Sequence, residues 1–213
     1  MTNDKRQYLE NDMNNSGLKI YSGDIVAGAL LMEESRKIAA LLLGRDHPGR
    51  WHQAIVIDNI LQKRSPKSAK RQAHLIRARL ALMSRDLWNI IIEGSSETTS
   101  QALMAASIRH SRLVGDFMDT VLRLHWRTFT RHITPADWKN HLDACEQIDP
   151  RVALWKPSTR DKLRQVVFRM LAESGYIDNT RTCRLMPVSL VPDLRKYLVT
   201  HNESYVLQCM DIC

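Results

Sequence analysis

Residues 63–85 constrain the fold most, because they combine a helical pattern with charge of a single sign. The stretch contains eight Lys or Arg residues and no Asp or Glu. Ser65 followed by Pro66 is a typical helix start, since the serine oxygen can accept a hydrogen bond from a free backbone N–H and proline fits the first helical position. Apolar residues then recur every three or four positions, at Ala69, Ala73, Ile76, Leu80 and Met83. The stretch predicts a helix that packs on one face and presents positive charge on another.

A preceding apolar segment at helical spacing, residues 51–61, adds a second helix, with residues 63–65 as the turn between them. Two helices joined by a short turn, the second of them basic, predict a helix-turn-helix. Basic faces and short turns also occur in proteins that bind no nucleic acid. Solvated faces normally mix both charges at i,i+4 spacing, however, and this face does not. The pattern therefore favours an anionic partner.

The rest of the chain predicts an all-α protein, because turn-forming residues are few. There are 8 Gly and 7 Pro in 213 residues, and no Asn-Gly or Asp-Gly dipeptide. We expect two helical lobes, 21–94 and 95–213, after a flexible tail over residues 1–20. In the first lobe a single helix is expected over residues 22–43.

A second basic region follows an acidic one. Residues 36–85 carry a net charge of +10, residues 86–150 carry −3 and residues 151–196 carry +6. Within the last region, a helix that ends at Gly175 precedes a possible short β-hairpin near residues 176–188. This is the order in which a winged helix presents its recognition helix and wing, although the same order occurs in folds without a nucleic-acid role.

Both basic regions supply candidate contacts to DNA. The first choices are Lys63, Arg64, Ser65, Lys67, Ser68, Lys70, Arg71, His74 and Arg77, and the exposed donors of the second region would be Arg160, Lys162, Arg164 and Arg169. Proteins that bind single strands interleave exposed aromatic rings with basic residues, whereas the basic helix contains no aromatic residue. Phosphate contacts to a duplex are therefore the predicted mode of binding.

Nothing in the sequence marks a catalytic or metal site. The eight His and four Cys form no ligand motif, and no P-loop, Gly-x-Gly-x-x-Gly or Gly-x-Ser-x-Gly is present. We therefore predict no catalytic residue, no metal and no cofactor. The longest uncharged apolar runs, 25–32 and 38–44, are shorter than the roughly 20 residues that span a membrane. Residues 1–16 lack the apolar core of a signal peptide, so a cytoplasmic protein is expected. We separately expect a monomer.

Several stretches resemble the BrxA family, whose members are small core proteins of bacteriophage-exclusion (BREX) systems. The resemblance lies in the Gly-Ala-Leu-Leu-Met-Glu-Glu-Ser run ending at Ser35, the Gly-Arg-Trp at 49–51, the Ser-Pro helix with Arg77 and Arg79, and the late Ser-Thr-Arg at 158–160 with Gly-Tyr-Ile at 175–177. It covers about residues 18–200. It implies an all-helical cytoplasmic protein with helix-turn-helix elements that binds double-stranded DNA beside a methyltransferase and other BREX proteins. It implies no catalytic residue.

A second function also fits these patterns. The basic faces could dock acidic surfaces of other defence proteins, in which case the protein would be an adaptor and the helix-turn-helix would serve only as a scaffold. The dependence of duplex binding on salt separates the two hypotheses, since binding through phosphates weakens steeply as salt rises.

Overall fold

The structure, a computed structural model, describes residues 20–44 and 49–212. It is all-α, as predicted, and its described residues contain two isolated β-bridges and no longer strand. Residues 1–19 of the expected tail lie outside the described residues. The helices are α1 (Met32–Leu43), α2 (Arg50–His52, continued as a π-helix over Gln53–Ile57), α3 (Pro66–Leu80), α4 (Arg85–Glu93), α5 (Ser96–His110), α6 (Arg112–Asp116, a π-helix over Phe117–Leu122, then Arg123–Arg127), α7 (Pro135–Ile148), α8 (Pro157–Glu173), α9 (Pro192–Thr200) and α10 (Ser204–Met210), with 3-10 helices at Asp24–Ala27 and Pro150–Leu154.

Helix α5 lies at the centre of the packing. Every residue from 99 to 108 is buried, and neighbours surround the helix on all sides: α1, α3, α4, α6, α9 and α10. Small side chains such as Ala102, Ala105 and Ala106 let these helices approach closely. The division into two lobes at Gly94 stays a prediction.

The expected continuous helix over residues 22–43 is wrong. A 3-10 helix over Asp24–Ala27 is followed by an irregular segment, and α1 begins only at Met32. Leu31 lies in the left-handed region, with φ of 54°. Side chains of α3 and α8 form hydrogen bonds with backbone groups of residues 28–30. These groups therefore have partners without the hydrogen bonds of a continuous helix.

The helix-turn-helix segment has the predicted order but a longer connection. The first helix ends at Ile57 instead of Leu61, and residues 58–65 lead to α3 in place of a three-residue turn. Asn59 and Gln62 have positive φ angles of 45° and 51°. The Asn59 side chain stabilises the connection, because its amide donates to the Lys63 carbonyl at 2.9 Å and its oxygen accepts from the Lys63 N–H at 3.0 Å.

A short hairpin-like loop follows α8 near the predicted wing. Ile177 and Leu185 form an antiparallel bridge, and the Met186 N–H donates to the Tyr176 carbonyl at 3.0 Å. The side chain of Asp178 accepts from the Arg184 N–H at 2.9 Å and closes the loop. The pairing is limited to isolated bridges.

Among the helices that the structure describes, none combines the length and the apolar composition required to cross a bilayer.

Candidate nucleic-acid interface

Helix α3 begins with the cap that the sequence predicts. The Ser65 hydroxyl accepts a hydrogen bond from the Ser68 N–H at 3.2 Å, and Pro66 occupies the first helical position. The predicted apolar stripe, from Ala69 to Met83, is buried in the core. The predicted helix start and packing face are confirmed.

The other face of α3 is exposed and contains no acidic residue. Its exposed candidate contacts are Arg64, Ser65, Lys67, Lys70, Arg71, His74 and Arg77, while Ser68 is half-buried. Within the described ranges, the side chains of Arg64, Lys67, Lys70, Arg71 and His74 form no ion pair or hydrogen bond. The positive charge of the four Lys and Arg residues is therefore not neutralised by the fold and is available to an external anion.

Two candidate contacts at the edges of this face have internal partners. Lys63 is half-buried and forms an ion pair with Glu34 of α1. Although burial opposes ionisation, the Lys63 ammonium keeps the pKa of Glu34 below its usual value. Arg77 remains exposed, with its guanidinium carbon 5.0 Å from the centre of the Trp51 ring. This cation–π contact restricts the orientation of Arg77 without removing it from solvent.

Side chains of α3 and α8 bind the irregular segment between the 3-10 helix and α1. Arg79 of α3 is only 2% exposed and donates to the carbonyls of Gly28 and Ala29. Glu173 of α8 accepts from the Leu30 N–H at 2.9 Å. Burial lowers the pKa of Arg79 to about 10, while the charge of Glu173 acts in the opposite direction. We refer to these two side chains as the Arg79–Glu173 clamp, because together they fix the segment against both helices.

A cavity of about 640 Å³ borders the clamped segment and joins the two basic regions. Its cationic lining residues, two from each region, are Lys63, Arg71, Lys162 and Arg169. Three carboxylates, Glu33, Glu34 and Glu173, also line it. The surplus of positive charge therefore lies mainly on the exposed face of α3, and the cavity extends that face towards α8.

The donors predicted on α8 differ in availability. Lys162 is exposed and has no ion-pair partner in the described part of the chain. Arg160 was expected to be an exposed donor, but it is half-buried. Its guanidinium forms an ion pair with Glu146 and donates to the carbonyls of Trp155 at 3.2 Å and Val152 at 3.1 Å. Arg160 therefore connects α7 and α8 and has few donors left for a ligand.

The other two arginines of α8 are paired with carboxylates on the same helix. Arg164 is half-buried, contrary to expectation, and lies 3.8 Å from Asp161. Arg169 is exposed, and its Nε donates to Glu173 at 2.8 Å. A phosphate would have to compete with these carboxylates. Of the four donors predicted on α8, Lys162 is therefore the most available to a ligand.

Sequence reasoning missed several polar residues of the cavity, among them Glu33, Gln72 and Gln165. Gln165 follows Lys162 by three positions and precedes Arg169 by four, so helical spacing places it on the same face. That signal could have identified Gln165. Glu33 could not have been placed there, because its position depends on the break before α1.

No group of three or more His, Cys, Asp or Glu side chains in the described residues could hold a metal ion. Cys145, Cys183 and Cys209 are buried free thiols. Burial raises the pKa of Cys145 to about 11 and that of Cys209 to about 12, so both are protonated at neutral pH. The arrangement at α3 and α8 is chemically suited to binding an anion.

Comparison with known proteins identifies the family. The sequence profile of the BrxA family matches residues 19–202. A "BREX protein BrxA" from Paramagnetospirillum magneticum (strain AMB-1) is 41% identical over 192 residues, which cover 90% of this chain and 96% of that protein. Another from Escherichia coli O9:H4 (strain HS) is 35% identical over 193 residues, covering 91% of each chain.

A solved structure also matches the fold. The crystal structure of an uncharacterized protein from Magnetospirillum magneticum superposes with a TM-score of 0.85 and 39% sequence identity, covering 91% of this chain and 100% of that one. Since the family profile and the relatives span nearly the whole chain, the protein belongs to the BrxA family.

Proposed function

We propose that this protein binds double-stranded DNA without catalysing a reaction and acts in a BREX phage-defence system. In this proposal α2 and α3 act as a helix-turn-helix, and α3 supplies most of the contacts to phosphates. Other BREX proteins, the methyltransferase among them, are proposed partners of a monomer. Work on phage or host DNA would place it in the cytoplasm.

The observation that carries the proposal is the exposed face of α3. Four of its cationic or titratable side chains, and that of Arg64 just before the helix, have no partner among the described residues, and the helix has no carboxylate of its own. A folded protein gains little from such a face, because unpaired like charges repel one another. A polyanion removes that repulsion and also gains entropy as its counterions are released.

The cavity indicates the path that DNA would take across the surface. Arg71 lines the cavity from α3 and Lys162 lines it from α8, and neither has an ion-pair partner in the part of the chain that the structure describes. A phosphate backbone that follows α3 could therefore reach Lys162 as well. The exposed carboxylate of Glu33 opposes this contact, since it also lines the cavity.

Charge reversal on α3 tests the proposal. Lys70→Glu with Arg71→Glu should weaken binding of unrelated duplexes about tenfold or more, because two phosphate contacts become repulsive. Lys139→Glu with Lys196→Glu is the matched control, since it reverses the same number of charges at two exposed positions outside the cavity. Glu33→Gln should act in the opposite direction and strengthen binding. Fluorescence anisotropy at one salt concentration measures all of these affinities.

Two outcomes would contradict the proposal. If the wild-type protein bound no duplex at low salt, the face of α3 would need an acidic protein as its partner, which is the adaptor function. If Lys139→Glu with Lys196→Glu weakened binding as much as the α3 reversal, binding would depend on total charge and α3 would not be the interface.

A further inference from the structure

Phe129 is an aromatic side chain that the fold leaves in solvent. It is 90% exposed, the highest value among the exposed large hydrophobic residues of the described chain. It belongs neither to the buried core nor to the partly buried residues packed against that core, whereas the tryptophans are buried or packed there. Burial therefore does not account for a phenylalanine at this position.

The backbone at Phe129 would favour a different residue. Phe129 follows Thr128, the residue that caps the end of α6. Its N–H donates to the Trp126 carbonyl at 3.2 Å, and the next N–H, of Thr130, donates to the His125 carbonyl at 2.8 Å. This pair of bonds is a Schellman motif, whose central residue is usually glycine because it adopts the left-handed conformation. Phe129 has a φ of 56°. The protein thus accepts backbone strain to place an exposed ring at this position.

Cations flank Phe129 on both sides in the chain. Arg127 and Arg131 are exposed, and their guanidinium groups have no partner among the described residues. The hairpin after α8 lies alongside, because the Leu185 N–H donates to the Arg131 carbonyl at 2.8 Å, and it carries the exposed Arg181. Arg127 and Arg131 therefore lie on either side of Phe129 in the chain, Arg131 lines the same cavity as the ring, and the neighbouring hairpin adds a third cation without a partner.

The nearby carboxylates are already engaged. Asp137 lies 3.2 Å from the imidazole of His125 and also caps α7 through Thr134. Asp178 accepts hydrogen bonds within the hairpin, including one from Thr182 at 2.7 Å. The surface around Phe129 is consequently positive, which suits an anionic partner with aromatic faces.

A cavity beside the ring indicates the shape of that partner. It measures about 310 Å³ and is lined by Trp126, Phe129, Arg131 and Leu185, together with His125 and Thr130. Such a space is open to a single planar base stacked on Phe129, whereas both faces of a base pair inside a duplex are already covered by the neighbouring pairs.

We propose that Phe129 stacks on an unpaired base of DNA while Arg127 and Arg131 contact the adjacent phosphates. This inference rests on the proposed function, since it assumes DNA as the partner, and adds a second site with a preference for junctions between double and single strands. Stacking suits any base, because every base has a π face, so no sequence preference is expected.

The test compares a blunt duplex with the same duplex carrying an unpaired thymidine overhang. The full-length protein should bind the overhang more tightly, and Phe129→Ala should weaken binding to it about five- to 100-fold, the range expected for loss of one stacked base. Affinity for the blunt duplex should stay unchanged. Phe129→Trp should retain the preference, because it keeps a flat aromatic face.

A second variant separates binding from folding. Phe129→Gly should raise the melting temperature, since glycine accepts the left-handed backbone, and should still lose the preference for the overhang. Equal binding of both DNAs by the wild type, or an unchanged preference in Phe129→Ala and Phe129→Gly, would overturn the stacking site and leave duplex binding intact. Failure to bind either DNA would overturn both proposals.

Discussion

At the residue scale, Arg79 shows how a charge inside the basic stretch serves the fold instead of a ligand. It follows the exposed Arg77 by two positions in α3, is fully buried, and donates to the carbonyls of Gly28 and Ala29. Guanidinium is suited to this position because it offers several donors in a fixed plane. Without it, these carbonyls would lose their partners.

Arg79→Met should therefore lower the free energy of unfolding by about 2–4 kcal/mol, the cost of leaving buried polar groups without partners. Lys70→Met on the exposed face is the control and should change it by less than about 0.5 kcal/mol. Urea denaturation measures both variants. Equal stabilities would show that the clamp contributes nothing to the fold.

His141 gives a second prediction at this scale, on the dependence of stability on pH. It is 6% exposed between the rings of Phe117 and Trp138, and burial lowers its pKa to about 4. The unfolded chain, with a histidine pKa near 6.5, then binds a proton between pH 6.5 and 4 that the folded protein does not bind. Stability should fall over that range, by about 2 kcal/mol at pH 5 from this residue. Burial also lowers the pKa of His110, which adds in the same direction.

His141→Gln isolates this contribution, because it removes the titrating group and retains a polar side chain. Urea denaturation at pH 7 and pH 5 should show a smaller loss of stability in the variant than in the wild type. The same loss in both proteins would mean that His141 is not the group responsible.

At the element scale, α3 could be predicted from the sequence because its signals are local. The cap of Ser65, the following Pro66 and the apolar stripe all lie within the helix or next to it. The break before α1 could not, since the partners of Ala29 and Leu30 lie 50 and 143 residues away in the chain. A local pattern cannot show that Arg79 points inward or that Glu173 accepts from a backbone N–H.

The candidate site likewise contains residues that the sequence predicts and contacts that it does not. The exposed cations of α3 follow from helical spacing, whereas the pairing of Arg160 with Glu146 depends on how α7 packs against α8. Nothing in the sequence indicates the conformation or the exposure of Phe129. Its φ is positive, but the residue is neither glycine nor asparagine, the types that usually mark such a position.

The cap of α3 also yields a prediction for the element. Ser65→Ala should lower the free energy of unfolding by about 1 kcal/mol, since the Ser68 N–H loses its acceptor. Ser68→Ala is the matched control, because no side-chain hydrogen bond of Ser68 occurs within the described structure. Thermal denaturation distinguishes the two variants. A loss in Ser68→Ala as large as in Ser65→Ala would contradict the assigned role of the cap.

At the scale of the whole molecule, the fold brings together two basic regions that an acidic one separates in sequence. The 3-10 helix over Asp24–Ala27 packs against both α3 and α8, and the Arg79–Glu173 clamp fixes the segment that follows it. Arg71 and Lys162 consequently line one cavity. In the proposed function, a duplex bound along α3 contacts both basic regions at once, and each adds to the same affinity.

The salt dependence of duplex binding tests this account most directly. With four to six phosphate contacts, log affinity should fall against log salt with a slope of roughly −4 to −5, about −0.9 for each contact. Arg71→Glu and Lys162→Glu should each make the slope shallower by about 1, and the double variant by about 2. A slope near zero in the wild-type protein, or a slope that neither variant changes, would contradict phosphate binding by α3 and α8.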